Sequence, residues 1–309
     1  MKKVSQLKNG DLIALVATAG TFEKERFFKG KSLIESFGYN VCYDESIWGR
    51  NRYIAGNDKE RAEAINKAFS DDNVKGIIVV RGGYGSGRAL PYIDFNLIKK
   101  NPKIFCGSSD ITFLHIAIQN LCGFATYYGP MPAGNNAAKS YAEEFRAFFD
   151  ITSGRTKTLR VKVPDIEIIR GSSGEGRIAG GCLSIINATL GTPWEINTEG
   201  KVLFIEDIGE PPYRVDRMLF QLKMSGKLSG LQGLIVGHMV DGNSANRFEW
   251  DNAFREIILE ATTGTSYPII YGFPAGHGAG SVTIPINGSV MIDGENGFVE
   301  ITDFGVKNA

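Results

Sequence analysis

The sequence predicts an α/β protein whose first half is a doubly wound parallel sheet. Three observations lead there. Leu12 to Ala17 is an unbroken apolar run, the pattern of a strand buried on both faces. Strand-like and helix-like stretches then alternate through residue 80, and a β-α-β-α-β order implies parallel strands joined by crossovers. The 38 glycines fall often in turns between short apolar runs, as that alternation requires.

Taken in order, Thr18-Ala19-Gly20-Thr21 is a loop at the carboxyl end of the first strand. Glu23 to Phe37 reads as a helix, with Gly38 where a C-terminal glycine belongs. Tyr39 to Tyr43 is a second strand, Asp58 to Phe69 a charged amphipathic helix capped by Asn57, and Val74 to Val80 a third strand. In such sheets ligands bind beyond the carboxyl ends of the strands. The third strand runs into Arg81-Gly82-Gly83-Tyr84-Gly85-Ser86-Gly87-Arg88, where the backbone can approach a ligand closely. A dinucleotide fingerprint fails here, because its third glycine falls on Arg88 or Leu90. A P-loop at Gly30-Lys31-Ser32 fails as well, since Glu25 stands where its first glycine belongs. A tight turn and a functional loop both remain open for the stretch.

Lys103 to Cys106 reads as a buried strand and Ile111 to Leu121 as a helix, so a sharp turn falls on Gly107-Ser108-Ser109-Asp110. A serine there stands at the positive end of a helix, beside backbone N–H groups that lack intrahelical partners, which is the setting of a nucleophile elbow. The same residue types also cap helices, and on this stretch alone capping is the favoured reading. Phe124 to Tyr128 is a further strand, leading into Gly129-Pro130-Met131-Pro132, and Tyr141 to Phe149 is the last helix of this half.

The texture then changes. Leu159 to Val163 alternates as an exposed strand would, and Gly171 to Arg177 reads as flexible. We expect a first domain over 1–155, a linker over 156–177 and a second domain over 178–309. The second half holds shorter strands and fewer helices. Lys201 to Ile205 is a strand ending in Glu206-Asp207-Ile208-Gly209-Glu210, and Tyr213 to Met224 is a helix stopped by Gly226. Leu231 to Gly237 is a strand and Trp250 to Thr262 a helix. Pro268 to Tyr271 is a strand leading to a glycine-rich loop that holds His277, and Ser289 to Asp293 with Gly297 to Thr302 closes the chain as an antiparallel pair.

Composition excludes several classes. Lys+Arg and Asp+Glu are both 34, so nothing points to a nucleic-acid surface or a basic membrane-binding face. No apolar run is long enough to span a bilayer, and the N-terminus lacks the apolar core of a secretory signal. The four cysteines are scattered, as reduced thiols of a cytoplasmic protein would be. Three dispersed histidines and no spaced ligand motif make a metal site unexpected. Serine chemistry needs a base for the Oγ proton and a carboxylate to orient that base. His115 reads as a packed helix residue, His238 is ambiguous beside Met239, and His277, between Gly276 and Gly278, is the best-placed base. Glu206, Asp207 and Glu210 compete for the carboxylate, with an ion pair to Arg214 or Arg217 as the alternative fate of Glu206.

Four separated segments then occur in one order: Arg81-Gly82-Gly83-Tyr84-Gly85, Gly107 to Thr112, Glu206-Asp207 with Pro212 to Arg217, and Pro274-Ala275-Gly276-His277. With the opening Gly10 to Ala17, they resemble the LD-carboxypeptidase family of serine peptidases, which includes muramoyl-tetrapeptide carboxypeptidases and microcin C immunity hydrolases. The resemblance covers nearly the whole chain. It implies a flavodoxin-like doubly wound domain followed by a smaller, β-rich swivelling α/β domain. It implies Ser109 as nucleophile, His277 as general base and Glu206 as the orienting carboxylate, in a crevice between the domains. The N–H groups of Gly83 and Asp110 are its candidates for the oxyanion hole. Arg81, Tyr84, Arg88 and Arg214 are the candidates for holding substrate, Arg217 being a further arginine in reach of the motif. The implied reaction releases a terminal D-alanine from a muropeptide in the bacterial cytoplasm, by a homodimer and without a cofactor. An immunity-type hydrolase of aminoacyl-nucleotides would need an aromatic shelf, for which Trp48, Trp194 and Trp250 are the only tryptophans. A muropeptide-binding protein without turnover is the third reading. The chain departs from the family at Ser108, where an aromatic residue is usual, at Tyr128, where many members have histidine, and at Cys182, where many have asparagine.

Overall fold

The computed structural model describes residues 1–134, 140–240 and 247–307, with the side chains of 247–249 excepted. Five strands make the first sheet's parallel part: β1 (Leu12–Val16), β2 (Asn40–Cys42), β3 (Val74–Val79), β4 (Ile104–Gly107) and β5 (Thr126–Tyr128). Between them run α1 (Lys24–Ser36), α2 (Asp58–Ser70), the single turn α3 (Ser86–Ala89), α4 (Phe95–Lys100) and α5 (Thr112–Leu121). Asn57 caps α2 through a full capping box, its side chain taking the Glu60 amide while Glu60 takes the Asn57 amide. The strands lie in the order β2-β1-β3-β4-β5, which is the flavodoxin-like arrangement. The order reverses between β1 and β3. The crevice at their carboxyl ends therefore opens between the loop after β1 and the glycine loop after β3. The two loops are joined there, the Gly20 amide donating to the Gly82 carbonyl at 3.0 Å.

After α6 (Tyr141–Thr152) the chain enters a second sheet. It is built from β6 (Leu159–Lys162), β7 (Glu167–Arg170), β8 (Ser173–Cys182), β9 (Lys201–Ile208), β10 (Gly233–Val240) and β11 (Ile269–Tyr271), with helices α7 (Leu183–Thr189), α8 (Pro212–Met224) and α9 (Arg247–Ala261). The strand β12 (Ile284–Ile286) follows, then the antiparallel pair β13 (Ser289–Asp293) and β14 (Phe298–Asp303). The second sheet has eight strands in the order β6-β14-β13-β8-β9-β10-β11-β7. Its centre is parallel, β8 to β9 to β10 to β11, and its flanks are antiparallel.

Two features of this half go beyond the sequence reading. Residues 156–177, expected as a linker region, hold β6, where the alternation over Leu159 to Val163 predicts a strand, together with β7 and the first half of β8. β6 and β7 are the two edge strands, so each is covered on one side only and keeps the polar composition of a loop. And β12, from the C-terminal part of the chain, pairs antiparallel with β5 and closes the edge of the first sheet. The short elements α3, α4 and α7 also escaped the periodicity reading.

One apolar cluster runs from the first sheet into the second. It joins Ile77, Phe105 and Tyr128 to Phe204, Ile235 and Ile292. A second cluster packs α7, α8 and α9 onto the other face of the second sheet, through Ile186, Leu203, Leu219 and Phe254. Polar ties add to the junction: the Cys182 amide donates to Thr112 Oγ1 at 3.0 Å and Gln119 Nε2 donates to the Ile178 carbonyl at 2.8 Å.

Candidate active site

The turn after β4 carries Ser109 with φ of 62°, in the left-handed region that a non-glycine residue rarely occupies. The turn is braced from behind. His115, fully buried on the following helix, donates Nε2–H to the Gly107 carbonyl at 2.9 Å and takes the Thr126 hydroxyl on Nδ1 at 2.7 Å. Burial pushes this imidazole down to about 4, so it is neutral and holds both bonds with fixed roles. The sequence reading of His115 as a packed residue agrees with this, though the bond to the elbow carbonyl was not foreseen.

The glycine loop after β3 lies directly against the serine. A Cβ on Gly82 would stand 2.9 Å from Ser109 Cβ and 3.2 Å from Oγ, so a side chain there would displace the nucleophile candidate. The loop is held by two buried charges. Asp110 accepts the Ser86 amide at 2.7 Å. Arg61, on α2, donates to the Thr18 carbonyl at 2.7 Å and the Gly85 carbonyl at 2.5 Å, and pairs with Asp58. Arg61 thereby fastens the loop after β1 to the loop after β3.

From the second sheet, β9 delivers Glu206, which is fully buried. Its Oε2 takes His277 Nδ1–H at 2.7 Å and the His277 amide at 3.0 Å. The approach needs Gly276, whose φ is 118° and where a Cβ would lie 2.4 Å from that oxygen. Burial alone would lower the His277 pKa, but the hydrogen bond and charge of Glu206, with Asp207 behind it, outweigh that and raise it. The competing carboxylates are engaged elsewhere. Asp207 accepts the Ser184 amide at 2.7 Å and the Ile208 amide at 2.8 Å, and Glu210 pairs with Arg214 at 3.4 Å. The ion pair weighed for Glu206 is therefore made by Glu210.

The loop bearing His277 is fixed from both halves of the protein. His238 Nδ1 accepts the Gly278 amide at 3.0 Å, and Glu144 of α6 accepts the Gly280 amide at 2.8 Å. His238 thus serves as a support for the loop that carries His277.

A residue that sequence reasoning noted only as a departure completes the site. Tyr128, at the end of β5, donates its hydroxyl to Glu206 Oε1 at 2.5 Å and accepts the Ser109 amide at 2.8 Å. Burial first, and then the charge of Glu206, raise its pKa well above the ordinary phenol value, so the phenol keeps its proton. The signal in the sequence was its place at a strand end next to Gly129, which identifies a position but not its partners.

Ser109, Tyr128 and His277 line one cleft of about 490 Å³, with Gly82, Gly83, Arg81, Arg26, Tyr141 and Glu144 on its walls. Of the substrate-holding candidates, Arg81 lines this cleft. Tyr84 packs edge-on against Tyr53, Arg88 is paired with Asp58, and Arg214 with Glu210; none of these three is on the lining. The tryptophans are not on it either. Trp48 packs with Phe22 and Phe27, Trp250 with Phe254, and Trp194 against the main core. Among the described residues no group of three or more His, Cys, Asp or Glu side chains could hold a metal ion, and no helix is long and apolar enough to cross a membrane.

Comparison with known proteins adds four likenesses. The profile of the LD-carboxypeptidase N-terminal domain matches residues 13–129, and that of the LD-carboxypeptidase C-terminal domain matches residues 175–292. The chain is 35% identical over 293 residues to the probable murein peptide carboxypeptidase of Bacillus subtilis, covering 94% of this chain and 91% of that protein. It is 27% identical over 318 residues to the microcin C7 self-immunity protein MccF of Escherichia coli, covering 93% and 91%. The crystal structure of muramoyltetrapeptide carboxypeptidase from Oxalobacter formigenes superimposes with a TM-score of 0.81 at 30% identity, over 94% of this chain and 97% of that one.

Proposed function

The chain belongs to the LD-carboxypeptidase family and is a serine carboxypeptidase, and on that premise we propose that it removes the terminal D-alanine from muramoyl tetrapeptides through Ser109, His277 and Glu206. The observation that carries the reading is the hydrogen-bonded run from Glu206 to His277 in the same cleft as a serine held at positive φ.

With Nδ1–H held by Glu206, the His277 Nε2 lone pair takes the Ser109 Oγ proton as Oγ attacks the carbonyl before the D-alanine. The Gly83 and Asp110 amides receive the oxyanion, each donor lowering the barrier by about 3 kcal/mol. His277 returns the proton to the departing amine. A water deprotonated by His277 then releases the tripeptide from the acyl-enzyme. The terminal carboxylate is held by Arg81, the member of the arginine set on the cleft wall. The setting we propose is trimming of recycled cell-wall peptides in the cytoplasm by a homodimer.

The relatives carry two substrate readings, and we propose the peptide one. An aminoacyl-nucleotide would need a stacking surface, and the three tryptophans are packed elsewhere. The test is mass spectrometry of an anhydromuramoyl tetrapeptide incubated with wild type and with Ser109→Ala. D-alanine release by wild type alone supports both substrate and nucleophile. Release by both overturns Ser109 as nucleophile. Release by neither overturns the substrate, and an aminoacyl sulfamoyl nucleoside is the next probe.

A further inference from the structure

A buried phenol links the elbow backbone to the carboxylate that holds His277. Tyr128 Oη sits between the Ser109 amide at 2.8 Å and Glu206 Oε1 at 2.5 Å. Glu206 then continues to His277 through Oε2 at 2.7 Å. The run Ser109 N–H, Tyr128, Glu206, His277 crosses from the first sheet to the second through one phenol. All of it except His277 and Ser109 is fully enclosed, Tyr128 being 2% and Glu206 0% exposed.

We propose that Tyr128 is a positioning residue of the reaction: its hydroxyl locks the elbow amide to the triad carboxylate and sets how much of the Glu206 charge His277 feels. The proposal rests on Ser109, Glu206 and His277 forming the triad. Three physical points carry it. A phenol has one proton, and the carboxylate beside it can only accept, so the proton points to Glu206 and the phenol oxygen's lone pairs face the Ser109 amide. A hydrogen bond to a charged group in an enclosed site is strong, and it withdraws charge from the carboxylate it serves. And the Ser109 amide, being committed to Tyr128, is not an oxyanion donor, which leaves that role to Gly83 and Asp110 as proposed above.

The other ionisable groups around His277 come from every neighbouring element. Asp207 stands behind it on β9, His238 on β10 supports the Gly278 amide, and Glu144 of α6 binds the Gly280 amide. Arg81 and Arg26 face the same cleft. Among the described residues, the hydrogen bonds to Glu206 come from Tyr128 and His277. Changing the Tyr128 donor therefore changes the carboxylate without touching the supports of the loop.

The test uses two variants of the full chain: Tyr128→Phe, and Tyr128 replaced by 3-fluorotyrosine, a stronger donor of nearly the same size. The readouts are kcat for D-alanine release against pH, and the titration of the His277 imidazole by nitrogen NMR in the free enzyme, assigned with a His277→Gln control. For Phe we expect kcat to fall on the order of ten- to a hundredfold with KM nearly constant, as for a lost hydrogen bond to a charged group. We also expect the acid limb and the His277 titration to move to higher pH, because Glu206 recovers charge. For 3-fluorotyrosine both move to lower pH. A fall in kcat with an unmoved His277 titration in both variants overturns the proposal and makes Tyr128 a packing residue. Shifts in the reverse directions overturn it too. If Phe does not fold, the fluorinated protein decides alone. Failure of the substrate reading is seen separately, as absent D-alanine release by wild type, and leaves the titration valid.

Discussion

Asp110, one residue beyond the elbow serine, accepts the Ser86 amide at 2.7 Å across 24 positions of sequence. The elbow and the glycine loop are thereby one unit. The cost is a buried carboxylate whose Oδ1 has no hydrogen-bond partner among the described residues. Burial raises its pKa to about 6, against the opposing pull of the Ser86 amide and Arg61.

Asp110→Asn tests that balance through stability. The folded protein keeps a proton on Asp110 at a pH where the unfolded chain has lost it. Wild type is therefore favoured at low pH and loses that advantage as pH rises from about 4 through about 6. Urea denaturation across pH 4–7 should show the stability of the variant gaining on wild type by about 1–3 kcal/mol. A constant difference across the series would contradict the buried carboxyl.

His115 has the opposite sign. Its pKa is lowered to about 4 by burial, so the unfolded chain binds a proton that the folded protein refuses. This part of the stability is present above the ordinary imidazole value of about 6.5 and is lost as pH falls toward 4. His115→Leu removes that slope, takes from the Gly107 carbonyl one of its two donors, the Gly129 amide remaining at 3.2 Å, and leaves the Thr126 hydroxyl without its His115 acceptor, at a cost of about 1–3 kcal/mol at pH 7.5. Thermal melts at several pH values would check both parts.

His277 must be neutral to act as base, and Glu206 raises its pKa. The acid limb of kcat/KM should therefore lie above the ordinary imidazole value of about 6.5. In Glu206→Gln, burial is left as the dominant influence and the limb moves to lower pH. The rate falls at the same time, on the order of 10³-fold or more, because the carboxylate no longer balances the imidazolium. A limb that stays in place would remove Glu206 from its assigned role.

Arg81→Ala should raise KM for a tetrapeptide about ten- to a hundredfold while kcat changes less, as expected for loss of a charge-assisted contact to a carboxylate. Arg88→Ala and Arg214→Ala, whose guanidinium groups are paired with Asp58 and Glu210 outside the cleft lining, should leave KM close to wild type. Steady-state kinetics on the three variants would overturn the assignment if Arg81→Ala behaved like the other two.

Much of the first sheet was legible in the chain. Its strands are buried runs such as Leu12–Val16 and Val74–Val79, and its helices carry local signals such as the Asn57 cap. The elbow was legible for the same reason, since Gly107 to Asp110 stands between a strand and a helix whose patterns are local. The edge strand β6 was legible too, in the alternation over Leu159 to Val163, but β7 was not, because a half-exposed strand of four residues carries little burial pattern to read. The strand β12 was invisible for a related reason: three residues, Ile284–Ile286, do not say which sheet they will join.

What the sequence determined by itself is the set of local conformations: the strand-turn-helix at Ser109, the glycine loop beside Arg81, and the loop that carries His277. Each is dictated by residues within about ten positions, through burial pattern, capping and turn chemistry. Which side chains meet was decided only by the tertiary structure. Glu206 is 71 positions from His277 and 78 from Tyr128, yet all three share hydrogen bonds. Asp207, next in the chain to Glu206, points to Ser184 instead. In a strand successive side chains leave on opposite faces, so it is the packing of β9 against Tyr128 and the His277 loop that selects Glu206 as their partner. A buried carboxylate takes the donors that this packing brings to it, and no local pattern names them in advance.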